Sequence, residues 1–238
     1  GAVGVEIIKT DTNAYIGNNV SINANEHSVS SQEVYVLAAD HTRLVSSANT
    51  LSGGLVTSVG GSVDTGIFAK DTKAYIGNGS VVKSGGDITV QALSREDTEV
   101  ATAALAGSLV GGIAGSVSVR CLSNSTDVYV GSNAHLDSGN NIRLFSSDRS
   151  TVDAKTGSAS AGLGVAGFGG AVSVVTINNF TESHADSNTN FKSAKDVDIN
   201  ADSSEAVDSV TVAGTGGGLT GVAGSVSVNV VTSKTHAY

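Results

Sequence analysis

The amino-acid sequence predicts an all-β protein, a parallel β-helix (β-solenoid) built from tandem repeats. Three observations predict it. Four sequence markers recur at one long spacing. Apolar residues alternate with period two between turns rich in Gly and Asn. The composition lacks the large side chains that usually fill a globular core.

The repeat is clearest in the segment Gly115-Ser116-Val117-Ser118-Val119, which returns as Gly224-Ser225-Val226-Ser227-Val228. Variants of it are Gly170-Ala171-Val172-Ser173-Val174, Gly61-Ser62-Val63-Asp64-Thr65 and Gly1-Ala2-Val3-Gly4-Val5. In chain order the starts lie 60, 54, 55 and 54 residues apart. The same spacing relates Ala14-Tyr15-Ile16-Gly17, Ala74-Tyr75-Ile76-Gly77 and Val128-Tyr129-Val130-Gly131, with Ser183-His184-Ala185-Asp186 as a degenerate copy and Ala237-Tyr238 at the end. A third marker begins at Glu33, Asp87, Asn141 and Asp196, and a fourth is the glycine at 53, 107, 162 and 216. A fixed spacing held by four markers defines repeat architecture. The chain divides into repeats 1–60, 61–114, 115–169 and 170–223 and a partial copy, 224–238, all in one solenoid. The extra length of the first copy falls between Gly17 and Glu33.

Within a repeat, Val117, Val119 and Cys121 occupy alternate positions, as do Val226, Val228 and Val230. Such alternation puts them on one face of a strand. Ala74 and Ile76 share a face with Tyr75 opposite, and Ile88 and Val90 share another. Gly77-Asn78-Gly79-Ser80, Ser84-Gly85-Gly86 and Ser138-Gly139-Asn140-Asn141 are turn clusters, because Gly and Asn tolerate positive φ. Strands this short suggest two or three coils per repeat and a rod roughly 40–65 Å long at ~4.8 Å per layer. The valine face is expected to be buried. Cys121 aligns with Ile7, Ile67, Thr176 and Val230 and so reads as a small core residue. The Ala-, Gly- and Ser-rich stretches, such as Ala101 to Gly107, suit close approach of neighbouring coils or facing sheets.

Composition narrows the class. The 238 residues include 30 Gly and no Pro, Met or Trp, so Val, Ile, Leu and Ala must build the core. A hydrophobic content of 39% excludes disorder by composition. The formal net charge of −9 argues against a nucleic-acid partner. One Cys excludes an internal disulfide framework, and no apolar run is long enough to span a bilayer as a helix. With no initiator Met, the sequence reads as an internal piece of a larger or processed chain.

The G-S-V-S-V strand, the T-x-A-Y-I-G motif from Thr72 to Gly77 and the G-G-D-I-T-V run from Gly85 to Val90 resemble repeats of large Gram-negative exoproteins. These are the filamentous-haemagglutinin-like proteins of two-partner secretion, and the resemblance covers essentially the whole chain. It implies a right-handed β-helix, export to the medium or the bacterial cell surface, and contact with host cells. It supplies no catalytic residues. His184 and Asp186 depart from the Tyr and Gly of the motif, which suggests a locally irregular coil.

Candidate chemistry is sparse. Asp196, Asp198 and Asp202 could serve as the clustered carboxylates of a β-helix lyase or hydrolase, but such spacing more often marks a solvated face. Asp137-Ser138-Gly139 lacks the strand-to-helix elbow of a serine hydrolase. Gly85-Gly86-Asp87 begins like a calcium nonapeptide but lacks the second glycine-aspartate step. His27, His41, His135, His184 and His236 show no metal-ligand spacing among themselves. The expectation is therefore a non-enzyme with no catalytic residue, metal or cofactor. The remaining candidate is the row Tyr15, Tyr75, Tyr129, His184 and Tyr238, which would contact protein or glycan if it faces outward and would be structural if it does not. The expected role is a structural and host-contact segment of a secreted adhesin or toxin. Its partners would be a host-cell surface protein or glycan and neighbouring repeats of the same chain. A membrane-active toxin segment, drawing on stretches such as Leu105 to Val119, is the alternative, and a carbohydrate-active β-helix enzyme stands behind it.

Overall fold

The computed structural model describes residues 1–23 and 32–238; His27 lies outside them. The described residues form thirteen strands and no helix. In chain order they are β1 (Ala2–Ile16), β2 (Ser21–Ile22), β3 (Val34–Gly54), β4 (Thr57–Ile76), β5 (Val81–Ser84), β6 (Ile88–Ser108), β7 (Gly111–Val130), β8 (His135–Ser138), β9 (Ile142–Gly162), β10 (Ala166–Ala185), β11 (Asn190–Ser193), β12 (Val197–Gly217) and β13 (Thr220–Ala237). All pairing is parallel. One sheet runs β1-β4-β7-β10-β13, a short one β11-β8-β5-β2, and a third β12-β9-β6-β3. Three stacked parallel sheets make a parallel β-helix.

Each repeat is a single coil, not two or three. Val3 pairs with Val63, Val63 with Val117, and Val117 with Val172, so successive layers are a whole repeat apart. The strands are also far longer than turn-to-turn reading suggests: β7 holds 20 residues and β9 holds 21. Glycine inside them does not break them, because parallel neighbours on both sides hold the backbone. At ~3.3 Å per residue such a strand spans about 65 Å, whereas five layers at ~4.8 Å rise only about 19 Å. The segment is a broad, short stack instead of the longer rod expected.

The coil has three unlike zones. Where the short sheet closes it, three sheets enclose Ile76, Val82, Ile88, Val90, Val130, Leu136, Ile142 and Leu144, all buried. The turn into the short sheet holds Asn19, Gly79, Asn133 and Asn188 at one repeat position with φ of 55°, 66°, 59° and 58°. Asn and Gly enter this left-handed region at least cost. The turn out of it is held by a serine ladder. Ser138 Oγ lies 2.8 Å from Gly86 O and 3.0 Å from Asn141 O, and Ser193 Oγ repeats this with Asn140 O and Asp196 O.

The middle zone mixes the apolar layer Phe68, Leu122, Val152, Ala154, Val175 and Ile177 with buried charge. Arg120, fully buried, reaches two layers down: its Nη2 lies 2.9 Å from Asp64 Oδ1 and 3.4 Å from Glu6 Oε2. Ser46 Oγ lies 2.6 Å from Asp64 Oδ2 and 2.7 Å from Glu6 Oε1. Gly66 makes the room, since a Cβ there would meet Arg120 Nη1 at 2.8 Å. Burial alone would raise the Asp64 carboxyl, but hydrogen bonds from Ser46 and Arg120 outweigh it and hold it below its usual range. Lys70, equally buried, pairs with Asp40 Oδ1 at 2.6 Å. Burial pushes Glu96 up to about 7 and also raises Asp148.

At the far end only two sheets remain, and they almost touch. A Cβ on Gly112 would lie 2.7 Å from Ala161 O and 3.1 Å from Ala106 O; one on Gly60 would lie 2.8 Å from Leu105 O. The interior here is therefore Ser58, Ser62, Ser116, Ser118, Ser173, Ala104, Ala106 and Ala114, all buried. The valines point the other way. The period-two alternation holds with its polarity reversed: Val117 and Val119 lie on the outer face, and Cys121 is exposed instead of in the core. Small side chains fit this gap, whereas any side chain at Gly60 or Gly112 would meet facing backbone oxygens.

Candidate interaction surface

The outer face of the β1-β4-β7-β10-β13 sheet carries in-register apolar rows. One row is Val3, Val63, Val117, Val172 and Val226; the next is Val5, Thr65, Val119, Val174 and Val228. Towards the narrow edge runs Val59, Ile113, Phe168 and Val222. Between these rows the outer position is glycine: a Cβ on Gly61, Gly115, Gly170 or Gly224 would meet nothing within 4 Å. The result is a furrow of bare backbone between apolar ridges.

The turns joining β3 to β4, β6 to β7, β9 to β10 and β12 to β13 extend this surface around the narrow edge. Their tips carry Leu55, Leu109, Leu163 and Leu219. Leu109 is 53% exposed and Leu163 74%, and both sit in coils with neighbours above and below, so their exposure is not an end effect. Contiguous exposed apolar rows of this kind mark contact sites in soluble proteins. Sequence reasoning passes over these leucines because glycine-flanked positions read simply as turns. The available signal is a large apolar residue recurring inside a turn, where solvent exposure disfavours it.

The aromatic row lies near the opposite end of the same face. Tyr15, Tyr75, Tyr129, His184 and Tyr238 stack with centroids 5.1, 4.7, 5.5 and 5.3 Å apart and interplanar angles of 7°, 4°, 18° and 20°. The row faces outward, but its rings cover one another. Ring edges and hydroxyls are presented, not the open faces on which a sugar would stack. His184 continues the stack without a break, so the coil is regular where irregularity was expected.

Register also assembles groups the linear sequence keeps apart. Asp127 and Glu182 are partners in adjacent layers, and His184 follows two residues on along the same face. His184 Nδ1 lies 3.6 Å from Asp127 Oδ1 and 3.9 Å from Glu182 Oε2, while its Nε2 lies 3.6 Å from Asp186 Oδ1. Burial, aided by the Glu182 charge, pushes the Asp127 carboxyl up to about 6 against the lowering effect of His184. His41 pairs with Asp97 at 3.3 Å.

The other sequence candidates fall into structural places. Asp196, Asp198 and Asp202 are exposed. Ser138 is buried at its turn, and Asp137 Oδ2 pairs with Lys192 at 3.0 Å. Asp87 Oδ1 accepts hydrogen bonds from the backbone N and side-chain Nδ2 of Asn141 at 2.9 and 3.1 Å, which holds its carboxyl below the usual range. The Gly85-Gly86-Asp87 run is thus a turn bonded to the turn of the next layer.

Fold and surface define a class: a parallel β-helix with one long coil per repeat, a small-residue interior at its narrow end and apolar rows outside. No family model matches the chain, and no curated protein or solved structure matches it.

Proposed function

We propose that this chain is a structural and host-contact segment of a secreted or cell-surface bacterial adhesin or toxin, and that it binds a protein on the host cell through its narrow apolar edge. The observation that carries this reading is the outward placement of Leu109, Leu163, Ile113 and Phe168 in the interior coils, where they add nothing to the core. Apolar rows separated by a backbone furrow suit a protein partner that brings its own apolar side chains. A glycan is less well served, because the aromatic faces are occupied by stacking. The unpaired edges of β1 and β13 are templates for further coils of the same long chain.

The test is adhesion of beads coated with the whole chain to host cells, compared with a Leu55→Ser, Leu109→Ser, Leu163→Ser variant. Adhesion that falls at least tenfold supports the reading; unchanged adhesion overturns it. A second reading, insertion of this edge into a membrane, draws on the same leucines, which already face outward without the coil opening. Dye release from liposomes by the native chain and not by the variant would favour the membrane over the protein partner.

A further inference from the structure

We propose that Asp127, Glu182 and His184 form a binding site for one divalent transition-metal ion of the zinc type. Among the described residues this is the one grouping of three or more His, Cys, Asp or Glu side chains whose ligand atoms all lie within 4.8 Å of one another. Zinc with one imidazole and two carboxylate ligands at ~2.0–2.2 Å sets ligand-to-ligand separations of about 3.4 Å in a tetrahedron. The separations of 3.6 and 3.9 Å around His184 Nδ1 need only a few tenths of an ångström of closure. A fourth ligand would be water.

The surroundings already do what outer partners of a metal site do. Asp186 Oδ1 stands on the Nε2 side of the imidazole at 3.6 Å, where a carboxylate would orient the ring once Nδ1 holds the ion. Tyr238 OH donates to Glu182 Oε1 at 2.7 Å, leaving Oε2 turned towards His184. Asp127 Oδ1 and His184 Nδ1 are both buried atoms without a hydrogen-bond partner. The three ligand side chains are each only 16% exposed, so little freedom is lost on binding. Lys73, the Asp127 partner one layer below, is held by Asp71 Oδ2 at 2.6 Å and does not fill the site. Because the ligands come from two layers, the ion would pin the third coil to the fourth.

The stacked row supplies an unusually clean test. His184→Tyr restores the residue found at this position in the other coils, so the aromatic stack and the fold are kept while the nitrogen ligand is lost. Calorimetric titration of the whole chain with zinc chloride should give one site per chain and a raised Tm. His184→Tyr should keep the metal-free Tm and bind zinc more than about tenfold more weakly, as should Glu182→Gln. A native chain that shows no zinc-dependent heat or Tm shift overturns the proposal. So does a His184→Tyr chain that binds as tightly as the native one, which would place the ion elsewhere. Calcium binding in place of zinc would overturn the nitrogen-ligand assignment.

Discussion

At the end of the coil closed by the short sheet, aliphatic side chains point inward and tyrosines outward. At the narrow end, serine, alanine and glycine point inward and valines outward. Both ends use the same period-two alternation, and both are parallel strands with the same neighbours above and below. The difference is the distance between facing sheets. Three walls leave a space that Ile88, Leu136 and Leu144 fill at high density. Two walls in near contact leave none, so the smaller side chain takes the interior and the larger one faces outward. Stability at the wide end comes from apolar burial. At the narrow end it comes from continuous backbone pairing and close packing between layers.

The largest expected effect breaks the zone between these ends. Arg120→Ala leaves the buried Asp64 and the partly exposed Glu6 without their cation and should cost about 3–5 kcal/mol in urea unfolding. Paired truncations then sharpen the contrast. Leu144→Ala in the wide core should cost about 2–5 kcal/mol. Val119→Ala on the outer face should cost less than about 1 kcal/mol despite its place in the repeat signature. Equal losses would erase the distinction between the two ends.

Glu96 adds a dependence on pH. Its carboxyl ionises near 4.5 when unfolded and about 7 when folded. The unfolded chain therefore loses its proton first as pH rises, and this contribution to stability falls between those two values and is flat below them. Glu96→Gln should match the native protein near pH 4.5 and exceed it by up to about 3 kcal/mol at pH 8. A variant with the native slope would place that proton on another group. A smaller effect probes the gap itself. Gly112→Val puts a side chain against Ala161 O and Ala106 O, backbone atoms that cannot rotate away, and should cost about 1–3 kcal/mol.

Much of the architecture was legible. Spacing of the markers gave the repeat, the parallel stacking and the residues that meet between layers, down to the alignment of Cys121 with Ile7 and Val230. Two things were not. Coil length was hidden because the local alternation suggests short strands between Gly- and Asn-rich turns, whereas Gly107 and Gly115 lie inside the 21- and 20-residue strands β6 and β7. The inward face of the narrow end was hidden because hydrophobicity names the inner face only when the space between sheets admits a side chain. Asp127 with His184 was invisible for a third reason. Their meeting depends on the register between layers, and Glu182-x-His184 alone carries no metal-ligand signature.

Cys121 tests the central claim most directly, since it shares its face with Val117 and Val119 and is the single thiol in the chain. In the native protein it should react with a soluble disulfide reagent to one equivalent, at a rate close to that of the unfolded chain. A thiol that stays silent until the protein is unfolded would put the valine face inside and contradict the account.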